Sequence, residues 1–96
     1  MGAEYMIVTH NSAENRFELT IDGHLAELDY TMMGDIIIFT HTGVPPEIRE
    51  HRPGVKLVET GLAYARENGL LVRSKCWFVT KYLRQHPEVQ DLLSAA

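Results

Sequence analysis

From Arg16 to Ile21 the chain alternates. Phe17, Leu19 and Ile21 are apolar, and Arg16, Glu18 and Thr20 are polar. That period of two is the mark of a strand with one buried face. His24 to Met33 continues it, with Ala26, Leu28, Tyr30 and Met32 on one side. Asp22-Gly23 between the two runs predicts a type I′ hairpin, since both central positions of that turn need positive φ. Gly34-Asp35 predicts a second two-residue turn into a strand over Ile36 to Thr42. With a short strand expected over Tyr5 to Thr9, the first half reads as an antiparallel meander.

The turns also predict a register. Pairing about Asp22-Gly23 sets Arg16 opposite Asp29, Phe17 opposite Leu28, Glu18 opposite Glu27 and Leu19 opposite Ala26. Pairing about Gly34-Asp35 sets Tyr30 opposite Phe39, Asp29 opposite Thr40 and Glu27 opposite Thr42. Opposed residues share a face, so one face is apolar and the other gathers Arg16, Glu18, Glu27, Asp29, Thr40 and Thr42. His41 then falls on the apolar side with Leu28. A bulge in this strand would reverse that parity.

Past residue 52 the period changes. Val55, Val58, Leu62 and Ala65 recur at helical spacing, with Lys56, Glu59, Arg66 and Glu67 on the opposite face. Gly61 inside that helix is unfavourable by about 1 kcal/mol relative to Ala and marks close packing against the sheet. Asn68-Gly69 is a stop signal. Leu70 to Val72 reads as a short strand, parallel to the fourth because a helix crosses between them. A second helix is expected from about Lys75 to Gln85, and Pro87 opens a last turn towards Leu93. The expected fold is α/β with a mixed sheet, in a single domain spanning residues 1–96: an antiparallel meander, a β-α-β crossover and C-terminal helices.

Composition narrows the function. The chain has 96 residues, 45% of them hydrophobic, and a formal net charge of −4. That balance argues against nucleic-acid binding, which needs a dominant basic face. His10, His24, His41, His51 and His86 show no zinc-ligand spacing with one another or with Cys76, so no metal is expected. The single cysteine suits a reducing compartment. Met1 to Met6 lacks the character of a signal peptide, and Met6 stands where a myristoylation motif wants Ser or Thr. The longest apolar run, Ile36 to Phe39, is too short to span a membrane. A cytoplasmic protein without a membrane partner is expected.

The order meander, loop, helix, parallel strand, helix resembles the core of the GNAT superfamily of acetyl-CoA-dependent N-acetyltransferases. The resemblance sharpens at His41-Thr42-Gly43-Val44-Pro45, Glu47-Ile48-Arg49, Lys56-Leu57-Val58, Tyr64-Ala65-Arg66, Cys76 to Tyr82 and His86-Pro87. These residues are similar to a very short GNAT-like family, and the match runs from about Arg16 to Leu93. It implies acetyl-CoA as co-substrate and an amine acceptor. In that family an Arg-Gly-x-Gly loop before the helix holds the coenzyme A pyrophosphate on backbone N–H groups. Here the run is Arg49-Glu50-His51-Arg52-Pro53-Gly54. Arg49 and Gly54 match, while Glu50 and Arg52 replace glycines.

The resemblance further implies that Thr42 and Val44 lie along the bound cofactor, with Arg49, Arg52, Gly54 and Lys56 towards its phosphates. Transfer needs a proton acceptor for the amine and an acid for the leaving thiolate. Tyr82 is the candidate acid, and packing is its alternative. Cys76 lines the acetyl pocket or is an inert core thiol. His41 is the candidate base, with Glu27 and Asp29 as alternatives. Little sequence precedes Arg16 to cover the sheet, which suits a protein or peptide amine. The altered loop leaves another function open: a non-catalytic acyl-CoA-binding protein or a small interaction module that keeps the fold.

Overall fold

In the computed structural model, which describes residues 6–94, five strands form one sheet in the order β1-β2-β3-β4-β5. They are β1 (Thr9–Asn11), β2 (Arg16–Ile21), β3 (His24–Met33), β4 (Ile36–Gly43) and β5 (Leu71–Ser74). The helices are α1 (Pro53–Glu67) and α2 (Trp77–Gln85), with 3-10 turns at Ser12–Glu14, Pro46–His51 and Pro87–Leu92. The first strand begins at Thr9, where the expected one was to end. Tyr5 lies outside the described residues.

Asp22 and Gly23 both take positive φ, 51° and 79°, as the type I′ turn requires. The β2–β3 register follows from it: Arg16 faces Asp29, Phe17 faces Leu28 and Glu18 faces Glu27. Across the second turn Tyr30 faces Phe39 as expected, but the ladder then shifts between Asp29 and Tyr30. Thr40 is the extra residue of a bulge. Asp29 therefore faces His41, Leu28 faces Thr42 and Glu27 faces Gly43. The expected Asp29–Thr40 and Glu27–Thr42 pairs do not form. Thr42 joins the inward face, and His41 moves to the polar face beside the carboxylates.

β5 runs parallel to β4, with Ile36 beside Leu71 and Phe39 beside Ser74, and α1 makes the crossover. Both helices pack on the inward face. Leu57, Val58, Leu62 and Ala65 of α1, and Val79 and Leu83 of α2, share one core with Phe17, Leu19, Leu28, Ile37, Phe39 and Val72. α1 ends as the sequence signalled, with Gly69 at φ 66° and the Leu70 N–H bonded to the Ala65 carbonyl at 2.8 Å. α2 starts two residues later than expected. The Ser74 hydroxyl donates to the Cys76 carbonyl and accepts from the Cys76 N–H, which holds Cys76 in extended backbone (φ −106°, ψ 127°) as the N-cap.

An aromatic cluster closes the core beneath β1. His10 stacks on Phe17 at 4.3 Å and meets Tyr64 edge-on at 4.5 Å. Its Nε2 lies 2.7 Å from the Tyr30 hydroxyl. Burial pushes His10 below its ordinary pKa, so between that lowered value and about 6.5 the unfolded chain binds more protons than the folded one. Stability therefore declines as pH falls from neutral through this window. Urea midpoints at neutral and mildly acid pH measure it, and His10→Phe should flatten the decline. An equally steep loss in that variant would assign the effect to another group.

Candidate functional site

β5 stays beside β4 only as far as Phe39 and Ser74; the Lys75 N–H makes a last bond to the Phe39 carbonyl at 2.8 Å. β4 runs on to Gly43 while the other chain turns away into α2. A cleft of about 730 Å³ opens between them. Its walls are Thr40, His41, Thr42 and Val44 from β4 and its exit, Arg49 and Arg52 from the loop, Pro53, Gly54 and Val55 from α1, and Lys75 to Phe78 at the start of α2.

Two helix N-termini meet at this cleft. Neither carries an acidic residue in its first turn, and the first-turn N–H groups of α1 have no side-chain cap. At α2 the Cys76 sulfur accepts from the Phe78 and Val79 N–H groups. A helix N-terminus carries partial positive charge. Arg49, Arg52 and Lys75 add three cations, and no carboxylate is among the lining residues. In a chain of net charge −4, the cleft is a local reversal of sign. Unpaired N–H groups, dipole ends and guanidinium forks together are a donor set for a phosphate group.

The loop is built differently from a glycine-rich one. Only Arg52 takes the left-handed backbone, at φ 54° and ψ 49°, with its N–H bonded to the Arg49 carbonyl. Glu50 sits inside the 3-10 turn and is not among the positive-φ residues. Of the two places where glycine is replaced, only position 52 carries backbone strain. Pro53 supplies no N–H but suits the first position of α1. Gly54 answers a different need, since a Cβ there would lie 3.0 Å from the Phe78 ring, so its absence lets α1 and α2 meet.

Arg52→Gly is expected to raise stability by about 0.5–1 kcal/mol, because a non-glycine residue in this region costs roughly 1–2 kcal/mol, part of it offset by glycine's freedom in the unfolded chain. Glu50→Gly should give no gain. A shift of the urea midpoint in the opposite order would overturn this account of the loop.

Cys76 caps α2 at the back of the cleft, its Sγ 3.4 Å from the Thr42 hydroxyl. Burial pushes the thiol up. The Thr42 hydroxyl and the backbone N–H groups of Val79, Phe78 and Thr42 outweigh burial and hold it below the ordinary value. Thr42 reaches it only because the bulge turned Thr42 inward.

The cleft thus gathers His41, Thr42, Val44, Arg49, Arg52, Gly54 and Cys76. It does not gather Lys56 or Tyr82. Lys56 lies two residues past Gly54, a rotation of about 200° around the helix, and borders a separate surface cleft with Glu59 and Tyr64. Tyr82 lies six residues past Cys76 and stacks on His86 at 3.7 Å. Burial, then the carboxylates of Glu59 and Glu88, push its hydroxyl above the usual pKa. The sequence reading assigned no role to Thr40, Lys75 or Val55. Lys75 sits where strand gives way to helix, and only the positions of both elements reveal it.

A family model described as GCN5-related N-acetyl-transferase matches residues 16–92. The chain belongs to the GCN5-related N-acetyltransferase family. Within it, Protein NATD1 of Mus musculus is 28% identical over 88 residues, covering 88% of this chain and 80% of that one. Protein NATD1 of Homo sapiens matches at the same identity, with 78% of its length covered. The NMR solution structure of a GCN5-like candidate N-acetyltransferase from Staphylococcus aureus superposes with a TM-score of 0.75 at 29% identity, covering 95% of this chain and 90% of that one. This GCN5-related chain, with its mixed five-stranded sheet and helices, therefore shares the overall fold of that protein. No helix among the described residues is long and apolar enough to cross a membrane.

Proposed function

We propose that the protein is an N-acetyltransferase that moves the acetyl group of acetyl-CoA to an amine of a protein or peptide by direct attack in a ternary complex. The observation that carries this reading is the meeting of two helix N-termini, both free of first-turn carboxylates, with Arg49, Arg52 and Lys75 around one cleft. Those groups would hold the pyrophosphate, and acetyl-CoA would supply the activated acetyl thioester. Thr42 and Val44 border its path, and Cys76 marks the end where the acetyl group would lie. His41, at the cleft on the carboxylate-bearing side of the sheet, takes the proton from the acceptor amine. Tyr82 stands outside the cleft lining, so the assignment of the acid to it has the least support.

Calorimetry with acetyl-CoA and coenzyme A tests the cofactor, and thiol release with a lysine-rich peptide mixture tests transfer. Binding with release supports an enzyme. Binding without release supports an acyl-CoA-binding protein, the reading favoured by the replaced glycines of the loop. No binding at millimolar ligand would sink both.

A further inference from the structure

We infer that Glu27, backed by Asp29, is a positioning residue for His41: the carboxyl pair and the imidazole meet over Gly43 and act as one proton-holding unit beside the cleft. The role rests on the acetyltransferase reading. The pairing rests on geometry alone.

The bulge places His41 opposite Asp29 and leaves Gly43 opposite Glu27. A Cβ on Gly43 would lie 3.4 Å from both the Glu27 Cγ and the His41 Nε2. The two side chains therefore converge on the space that glycine leaves free. Asp29 is spaced two residues from Glu27 and shares its face. Its Oδ1 is buried without a hydrogen-bond partner. Two ionised carboxylates cannot satisfy each other, whereas a single proton between them satisfies both.

The other groups on this face do not remove the need. From β2, Arg16 bonds Glu18 at 2.5 Å and stands 3.9 Å from Glu27. Asn11 of β1 also donates to Glu18, at 2.9 Å. From β5, Arg73 lies on the same face but pairs at Ile38, beyond the bulge. Arg16 is thus committed to Glu18, and His41 is the basic side chain that β4 offers. The hydrogen bond that protonated Glu27 donates to Asp29, then burial and the Asp29 charge, hold the Glu27 carboxyl above the usual range, against the pull of Arg16 and His41.

In the proposed transfer, the lone pair of the neutral acceptor amine forms the N–C bond, and the C–S bond breaks with its electron pair leaving on sulfur. The N–H bond breaks as its proton moves to the His41 imidazole, and that bond's pair stays on nitrogen as the lone pair of the product amide. The proton then passes from the imidazolium to the departing sulfur. The negative charge shared by Glu27 and Asp29 stabilises the imidazolium in between.

The test begins with the whole chain and no ligand, by carbon NMR of the side-chain carboxyls through an acid titration. Glu27 should titrate above its ordinary range. Asp29→Asn should bring it down, and His41→Ala should push it further up. Gly43→Ala, which fills the shared space, should weaken the effect of removing His41. A Glu27 titration indifferent to both Asp29→Asn and His41→Ala overturns the pairing, whether or not the protein is an enzyme. In turnover, Glu27→Gln should lower kcat on the order of tenfold, move the acid limb of its pH profile and leave the acetyl-CoA KM unchanged. Glu27→Asp should restore part of both. Wild-type kcat and an unmoved limb in Glu27→Gln overturn the role. Loss of turnover in the parent protein would instead refute the acetyltransferase reading, with the titration still deciding the pair.

Discussion

Gly61→Val is expected to lower stability by about 2–3 kcal/mol, the upper part of the range for overpacked cores. In a chain of this size that is a fall in Tm on the order of 10–20 °C. The cause is local. A Cβ at position 61 would lie 3.0 Å from two atoms of the Phe39 ring and 3.3 Å from a Leu28 methyl. Both neighbours are fully buried, so neither has open space to move into. A branched side chain adds two methyls to that contact and gains only a few tenths of a kcal/mol in helix propensity. Gly61→Ala should lose less, since its propensity gain of about 1 kcal/mol opposes a smaller clash. Thermal melts of the three proteins check the order. If Gly61→Val melts with the parent, α1 does not pack as closely on the sheet as described.

His41→Ala should cut turnover about a hundredfold, the low end of what a positioned proton acceptor contributes. Binding of acetyl-CoA should change little, because the phosphate-directed groups lie on the loop and the helix starts. The two measurements separate chemistry from binding: kcat from thiol release, Kd from calorimetry. A variant with parental kcat would remove His41 from the reaction. One with lost binding would place it among the residues that hold the cofactor.

Turn chemistry made the first hairpin legible. Asp22-Gly23 permits few geometries, and the whole β2–β3 register follows from it. β4 was legible only to Phe39. Nothing in Phe39-Thr40-His41-Thr42-Gly43 announces a bulge, since no glycine or proline occupies the extra position. The shift coincides with the place where β5 leaves β4 for α2, and such a partner lies far along the chain. That one missed residue decided which of His41 and Thr42 faces Cys76. Helix α1 was legible from its period, and the expectation that Gly61 marks close packing found its partner in Phe39. Lys56 and Tyr82 stand outside the cleft lining because of helical phase. Both residues sit on the expected helices, turned away from the residue meant to share their ligand. The strain at Arg52 needed the backbone itself, because sequence could name two replaced glycines but not say which one needed positive φ.

The cleft between β4 and α2 has a consequence for how this chain should be handled. Its walls come from residues 40–55 and 75–78, stretches that meet only when the crossover is folded. Any ligand held there binds the native state alone and shifts the unfolding equilibrium by mass action. At a hundred times its Kd, such a ligand contributes about 2.7 kcal/mol, close to what Gly61→Val is expected to remove. A saturating anion could therefore rescue a crippled core, and the melting curve of this small domain becomes its own ligand assay. Stability measured on the bare chain would understate what the fold has in a solution rich in such a ligand.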